Sequence, residues 1–120
     1  MIYSYEDLTV YRRSYRLSIE LYKETRAFPK EEMYSFTSQL RRAVTSIPLN
    51  IAEGYGKHQS EAEFKRFLQM AMGSANEVSV LLSMSADFGY MTEAKADEYR
   101  KEIKEIGSML RGLYDSWRNM

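Results

Sequence analysis

The sequence has no cysteine, one histidine and two prolines among its 120 residues. The lack of cysteine excludes disulfide bonds, thiolate nucleophiles and cysteine-based zinc sites. The single His58 cannot form a multi-histidine metal site by itself. With six glycines, the chain also has few of the turn signals that a fold rich in β-strands requires.

The chain also has no net charge and no long apolar runs. The 17 basic and 17 acidic residues cancel, so the chain has neither the excess of cations typical of nucleic-acid-binding domains nor an excess of anions. No stretch is long and apolar enough to span a membrane. Residues 1–7 lack the basic segment and apolar run of a signal peptide. We therefore expect a cytoplasmic protein with a single domain over residues 1–120.

Helical periodicity is what the sequence does contain. We predict helices over about residues 5–26, 30–54, 60–88 and 92–117, separated by short loops. Short loops make consecutive helices antiparallel neighbours. The predicted fold is all-α: an antiparallel up-down-up-down four-helix bundle with a proline-bent second helix.

The first predicted helix carries a wide apolar arc. Its apolar and small residues fill about 200° of the circumference, whereas a surface helix needs only ~100°. The tyrosines of the arc suit an interface, because each has a large apolar ring and a polar tip. A position deep in the chain's own bundle explains the arc equally well. The candidate oligomer-interface residues are Leu8, Tyr11, Tyr15, Ile19 and Tyr22.

Residues 38–54 read SQLRRAVTSIPLNIAEG. A proline inside a helix removes one backbone hydrogen bond and costs roughly 3 kcal/mol. We expect Pro48 to bend the helix, and we expect the hydroxyls of Thr45 and Ser46 to satisfy the freed carbonyls. The predicted core face of this helix runs through the proline and comprises Met33, Phe36, Leu40, Val44, Ile47 and Ile51.

A polar stripe lies beside this apolar face. It could be a hydrogen-bond ladder to the third helix, where Ser74, Asn76 and Glu77 are available, or it could bind a ligand. Buried polar groups have to be satisfied, so we favour the ladder. The residues of the stripe are Gln39, Ser46, Asn50 and Glu53.

Basic residues occur in the middle of the second helix and around the second loop. They could contact phosphates, or they could form salt bridges with Glu53, Glu61 and Glu63. Salt bridges are the favoured interpretation for one isolated chain, but an oligomer would repeat the patch and make it multivalent. The candidate nucleic-acid-binding residues are Arg41, Arg42, Lys57, Lys65 and Arg66.

No motif in the sequence indicates catalysis. Gly54-Tyr55-Gly56 is too short for a phosphate-binding loop and follows a helix rather than a strand. No Glu-x-x-His pair of the kind that binds di-iron is present. Ser60 could lie near His58, but it suits a helix cap better than a nucleophile. We expect no enzyme activity, no cofactor and no metal.

Residues 38–54 resemble the signature of the four-helix-bundle proteins encoded within 23S rRNA intervening sequences, a family also labelled ribosomal-protein-like. The flanks agree at Phe28-Pro29, Phe67-Leu68 and Gly73-Ser74. The resemblance implies a ring-shaped homopentamer and a distant relation to the accessory protein of diversity-generating retroelements, a basic pentamer that binds nucleic acid. It implies no catalytic residues. It also implies a structural role for the motif residues, including Ser46, Pro48, Asn50, Glu53 and Gly54.

We expect a non-enzymatic, homo-oligomeric scaffold or interaction protein, and the resemblance implies that it is pentameric. The alternative is a module that binds RNA or DNA through a basic patch repeated on the oligomer. The neutral charge of this chain argues against that alternative, because the nucleic-acid-binding relatives are markedly basic. A protein partner is also consistent with the sequence, whereas no membrane partner is expected.

Overall fold

The computed structural model describes residues 1–118. Its α-helices are α1 (Thr9–Glu24), α2 (Phe36–Tyr55), α3 (Glu61–Asp87) and α4 (Glu93–Ser116), and no β-strand occurs in the described part of the chain. α2 packs against α1 and α3, and α4 packs against α3 and α1. The predicted all-α four-helix bundle is confirmed. No helix within residues 1–118 is long and apolar enough to cross a membrane.

The first two helices begin later than predicted. Tyr5–Asp7 forms a separate 3-10 turn capped by Ser4, and the extended backbone of Leu8 separates this turn from α1. Lys30–Glu32 forms another 3-10 turn before α2 begins at Phe36.

The core contains the predicted apolar face of α2. Leu40, Val44, Ile47 and Ile51 are each at most 1% exposed. Met33, which was predicted to join this face, is 40% exposed, because it precedes α2 and does not share its periodicity. Other fully buried side chains come from all the other helices, and they include Leu17, Leu21, Phe64, Leu68, Leu82, Ile106 and Leu110.

Pro48 lies inside α2 and is buried, and the helix continues on both sides of it. Proline has no N–H, so the carbonyl of Val44, four residues earlier, has no donor within α2. The Ser18 hydroxyl of α1 donates to this carbonyl at an O–O distance of 3.2 Å and also lies 2.9 Å from the carbonyl of Ser14. A neighbouring helix therefore satisfies the carbonyl that the proline frees.

The prediction that Thr45 and Ser46 would satisfy the freed carbonyl is wrong. The Thr45 hydroxyl lies 2.9 Å from the carbonyl of Arg41, and the Ser46 hydroxyl lies 2.7 Å from that of Ala43. Both hydroxyls fold back onto the preceding turn, as Ser and Thr commonly do in helices. Only a side chain from outside the helix reaches Val44.

Gly54 lies where the backbone of α2 comes close to α3. A Cβ atom at this position would lie 2.6 Å from Cβ of Phe67 and 3.1 Å from the ring of Phe64. The Cβ of Phe67 is fixed to its backbone and cannot rotate away. Glycine at position 54 therefore lets the two helices pack together near their connecting loop.

Polar contacts close the bundle between α1 and α4. The guanidinium of Arg13 donates two hydrogen bonds to Glu102, at 2.6 and 3.0 Å. The hydroxyl of Tyr99 donates to Glu24 at 3.1 Å. Burial and the neighbouring Glu24 carboxylate raise the pKa of Tyr99, so the phenol stays protonated.

Replacing Ser18 with Ala should leave the Val44 carbonyl without a donor. We expect the free energy of unfolding to fall by about 1–3 kcal/mol, the cost of an unsatisfied buried polar group. Replacing Pro48 with Ala restores a backbone N–H that can donate to Val44. In that background, Ser18→Ala should therefore lower the free energy of unfolding by clearly less. Urea unfolding of the wild type, both single variants and the double variant measures this coupling. An equal cost in both backgrounds would contradict the role of Ser18.

Replacing Gly54 with Ala should destabilise the bundle by about 1–3 kcal/mol, because the added methyl group overpacks the contact with Phe67. Gly112→Ala in α4 is the matched control, since a Cβ there meets nothing within 4 Å. Removing a glycine from a helix interior should stabilise the control by roughly 0.5–1 kcal/mol. Thermal unfolding of both variants at equal concentration compares them, and a stabilised Gly54→Ala protein would contradict the predicted clash.

Candidate functional site

Large apolar side chains on the outer face of α1 are exposed to solvent. Tyr15, Ile19 and Tyr22 are 53%, 42% and 49% exposed. Their spacing of four and three residues places them on one face of the helix, and we call them the α1 stripe. Tyr11 extends the stripe, half-buried, with its ring centroid 6.0 Å from that of Tyr15. Contiguous apolar patches of this kind mark interaction sites.

The structure corrects one member of the predicted interface. Leu8 is only 4% exposed and belongs to the core of its own chain, because the turn before α1 directs it inward. The wide arc of α1 thus has two parts. Residues such as Leu17 and Leu21 face the core, whereas the α1 stripe faces solvent. Whether another molecule covers the stripe stays a prediction.

The surroundings of the α1 stripe are basic. Arg16 and Lys23 are exposed and form no ion pair with the described part of the chain. The Arg26 guanidinium lies 5.5 Å from the ring centroid of Tyr22. Arg12 donates a 2.8 Å hydrogen bond to the carbonyl of Glu6. The stripe is therefore an apolar surface with a cationic border.

Arg41 is bound within the chain. Its Nε donates to the hydroxyl of Thr25 at 2.9 Å, and its Nη2 donates to the carbonyl of Tyr22 at 3.3 Å. The guanidinium also lies 4.0 Å from the ring centroid of Tyr22. These contacts join α2 to the end of α1. They occupy two of the five N–H donors of the guanidinium, so fewer are left for a phosphate, and the nucleic-acid role of Arg41 stays a prediction.

The basic residues near the second loop are partly paired. Arg66 forms two hydrogen bonds with Glu63, at 3.0 and 3.3 Å, and these bonds lower the pKa of the Glu63 carboxyl. Lys65 lies 3.3 Å from Glu61 and 5.1 Å from the ring centroid of Tyr114. The salt bridges that the sequence favoured with Glu61 and Glu63 are confirmed.

The five candidate nucleic-acid residues do not form one patch. Lys57 and Arg66 do come together, since both lie over the ring of Phe67 at 5.0 and 4.5 Å. Arg42 is exposed, but it lies about 20 Å along α2 from this pair, at 1.5 Å per residue. These cations are close together along the sequence, but they are not all close together in space.

The polar stripe of α2 is divided in two. Ser46 contacts Ser74 of α3 through hydroxyl oxygens 2.6 Å apart, and the Asn50 amide donates to the carbonyl of Ser46 at 2.8 Å. Ser46 therefore makes one contact of the predicted ladder to α3, whereas the Asn50 bond stays within α2. Gln39 and Glu53 are exposed, so the ladder does not extend to them.

His58 packs into an aromatic cluster at the loop end of the bundle. Its ring stacks on Tyr55 with centroids 4.4 Å apart, and Nδ1 lies 2.7 Å from the carbonyl of Tyr55. Ser60 caps α3 by accepting a 3.2 Å hydrogen bond from the N–H of Glu63. Residues 1–118 contain no group of three acidic, His or Cys side chains arranged to hold a metal ion.

The sequence interpretation missed the aromatic clusters at both ends of the bundle. At this end, the rings of Phe64 and Trp117 meet edge to face at 4.6 Å. At the other end, Phe36 contacts Phe88 at 5.2 Å and Tyr90 at 6.0 Å. The sequence did place aromatic residues beside the predicted loops. This signal could have predicted the clusters only with the topology known, because the topology determines which loops lie at the same end of the bundle.

A family model described as 23S rRNA-intervening sequence protein matches residues 6–112. A solved structure from Bacteroides thetaiotaomicron, described as a protein with unknown function from the S23 ribosomal protein family, has a TM-score of 0.79 to this chain. It is 24% identical and aligns over 90% of this chain and 100% of its own. This likeness shows a shared fold.

No curated protein matches the chain. The relation to the accessory protein of diversity-generating retroelements stays a prediction. The family model covers most of the chain, and its description agrees with the resemblance carried by residues 38–54. The chain therefore belongs to the 23S rRNA-intervening sequence protein family.

Proposed function

We propose that this protein is a non-enzymatic scaffold or interaction protein that assembles with copies of itself. The α1 stripe carries the proposal: its side chains stay 42–53% exposed above a core that is closed. Two of its three residues are tyrosines, which are enriched at interfaces. The family resemblance implies five copies in a ring.

The size of the α1 stripe sets a limit on what it can do alone. A stable interface buries about 800 Å² on each partner, and association costs several kcal/mol of translational and rotational freedom. α1 has 16 residues and is about 24 Å long. Its stripe needs a large complementary surface to form a stable assembly.

The side chains best suited to chemistry have structural partners. His58 stacks in the aromatic cluster and Ser60 caps α3, as described above. Beside Pro48, the Ser46 hydroxyl bonds to that of Ser74 in α3, and the Asn50 amide donates to the Ser46 carbonyl within α2. These contacts support a protein without catalysis, and the lack of cysteine fits a reducing, cytoplasmic setting.

Binding of RNA or DNA is the second candidate. It rests on Lys57, which lies with Arg66 over Phe67 and forms no ion pair among residues 1–118. A ring would repeat this pair in every copy and add their weak contributions. Arg41, Lys65 and Arg66 are already held by their own chain, so the support is narrower than for the scaffold.

Ile19→Glu should break the self-assembly, because it places a charge in the α1 stripe. We expect size exclusion with light scattering to show an oligomer for the wild type and a monomer near 14.1 kDa for the variant. Ser108→Glu, on an exposed position of α4, is the matched control and should keep the wild-type mass. A wild-type protein that is monomeric at high concentration would contradict the proposal.

Added RNA should separate the two candidates. We expect the wild-type mass to stay unchanged with structured RNA at about 0.15 M salt, where phosphate contacts are weakened by screening. An RNA complex that is weakened by Lys57→Ala, but not by the exposed Lys104→Ala, would favour nucleic-acid binding instead. Fluorescence anisotropy of labelled RNA over a range of salt concentrations measures both variants.

A further inference from the structure

A second exposed apolar surface lies on the outer face of α3. Val80, Met84 and Phe88 are 57%, 42% and 51% exposed. They follow at intervals of four residues, with Phe88 at the end of the helix, so they lie on one face. We call them the α3 stripe. Gly73 and the 45% exposed Met70 extend this face toward the start of α3.

The two stripes point away from each other. α1 packs on α2 and α4, and α3 packs on the same two helices, so α1 and α3 occupy opposite corners of the bundle. Each stripe faces solvent from its corner. One chain therefore presents two separate apolar helix faces on opposite sides.

Symmetry explains why an assembly would need two surfaces. A twofold dimer uses the same patch on both copies, whereas a closed ring of more than two copies joins two different patches head to tail. The α1 stripe alone would serve a dimer. A ring requires a second, different surface, and the α3 stripe offers one.

The charges near the stripes are complementary. Residues 9–26 contain five basic and two acidic residues, whereas residues 67–90 contain Glu77 and Asp87 and no basic residue. Glu77 and Asp87 are exposed and form no ion pair with residues 1–118. Arg16 and Lys23 beside the α1 stripe are also exposed and unpaired. Complementary borders favour contact between unlike stripes and disfavour contact between like ones.

We propose that the α3 stripe of one copy docks on the α1 stripe of the next. This inference rests on the proposed self-assembly and names the surface that completes it. The tyrosine rings of α1 would pack against Val80, Met84 and Phe88, while Arg16 and Lys23 would lie near Glu77 and Asp87. In a closed ring this pairing buries both stripes of every copy. In an open chain one α1 stripe and one α3 stripe stay exposed at the two ends.

A mixing experiment with two variants tests the pairing. Ile19→Glu breaks the α1 stripe, and Met84→Glu breaks the α3 stripe. We expect each variant alone to be a monomer by size exclusion with light scattering. A one-to-one mixture keeps one intact pair of stripes, so it should form a dimer of twice the 14.1 kDa chain mass and stop there. Ser108→Glu should assemble like the wild type.

The outcomes are distinct. A monomeric wild type would defeat the proposed self-assembly itself. An oligomeric wild type with an oligomeric Met84→Glu variant would overturn only the role of α3, as would a mixture that stays monomeric. Circular dichroism melting checks that both variants are folded. If Met84→Glu does not fold, Val80→Glu repeats the test at a more exposed position of the same stripe.

Discussion

The carbonyl of Val44 needs a hydrogen-bond donor from outside its helix, because Pro48 removes the one that α2 would supply. The donor is the hydroxyl of Ser18, 3.2 Å away on α1. A buried carbonyl without a partner would cost about 1–3 kcal/mol, a large part of the 5–15 kcal/mol that keeps a typical protein folded. The contact therefore links α1 to α2 at the carbonyl that the proline frees, beside the buried Leu17 and Leu21 of α1.

The orientation of α1 decides which of its apolar residues stay outside. With Ser18 and Leu21 directed into the bundle, the residues next to them on the helix surface, Ile19 and Tyr22, are directed to solvent. The exposed stripe therefore borders the face of α1 that packs into the bundle. On the opposite corner, the outer face of α3 carries apolar residues and no cation after Arg66. A small bundle with two such faces has the surfaces that repeated assembly requires.

Electrostatics separates the two functional hypotheses. Of the cations near the second loop and in the middle of α2, four form hydrogen bonds, ion pairs or aromatic contacts within the chain: Arg41, Lys57, Lys65 and Arg66. The hydrogen bonds and ion pairs reduce the number of donors available to a phosphate. Beside the α1 stripe, Arg16 and Lys23 form no ion pair among residues 1–118, and they border an apolar surface. That combination suits a protein partner with acidic residues better than a nucleic-acid backbone, and α3 has those residues.

The sequence by itself determined the all-α bundle, the core face of α2 and the cap at Ser60, because helix periodicity and capping are local. It also determined the family, through residues 38–54. Only the tertiary structure showed that Ser18 serves Val44, that Leu8 is buried and that Arg41 is bound to Tyr22. Each of these facts joins residues from different segments, whose distance apart depends on how the helices pack. The wide arc of α1 had two explanations in the sequence. The structure showed that one part of the arc is buried in the chain's own core and that the other part is exposed, because burial depends on the neighbouring helices and not on one helix alone.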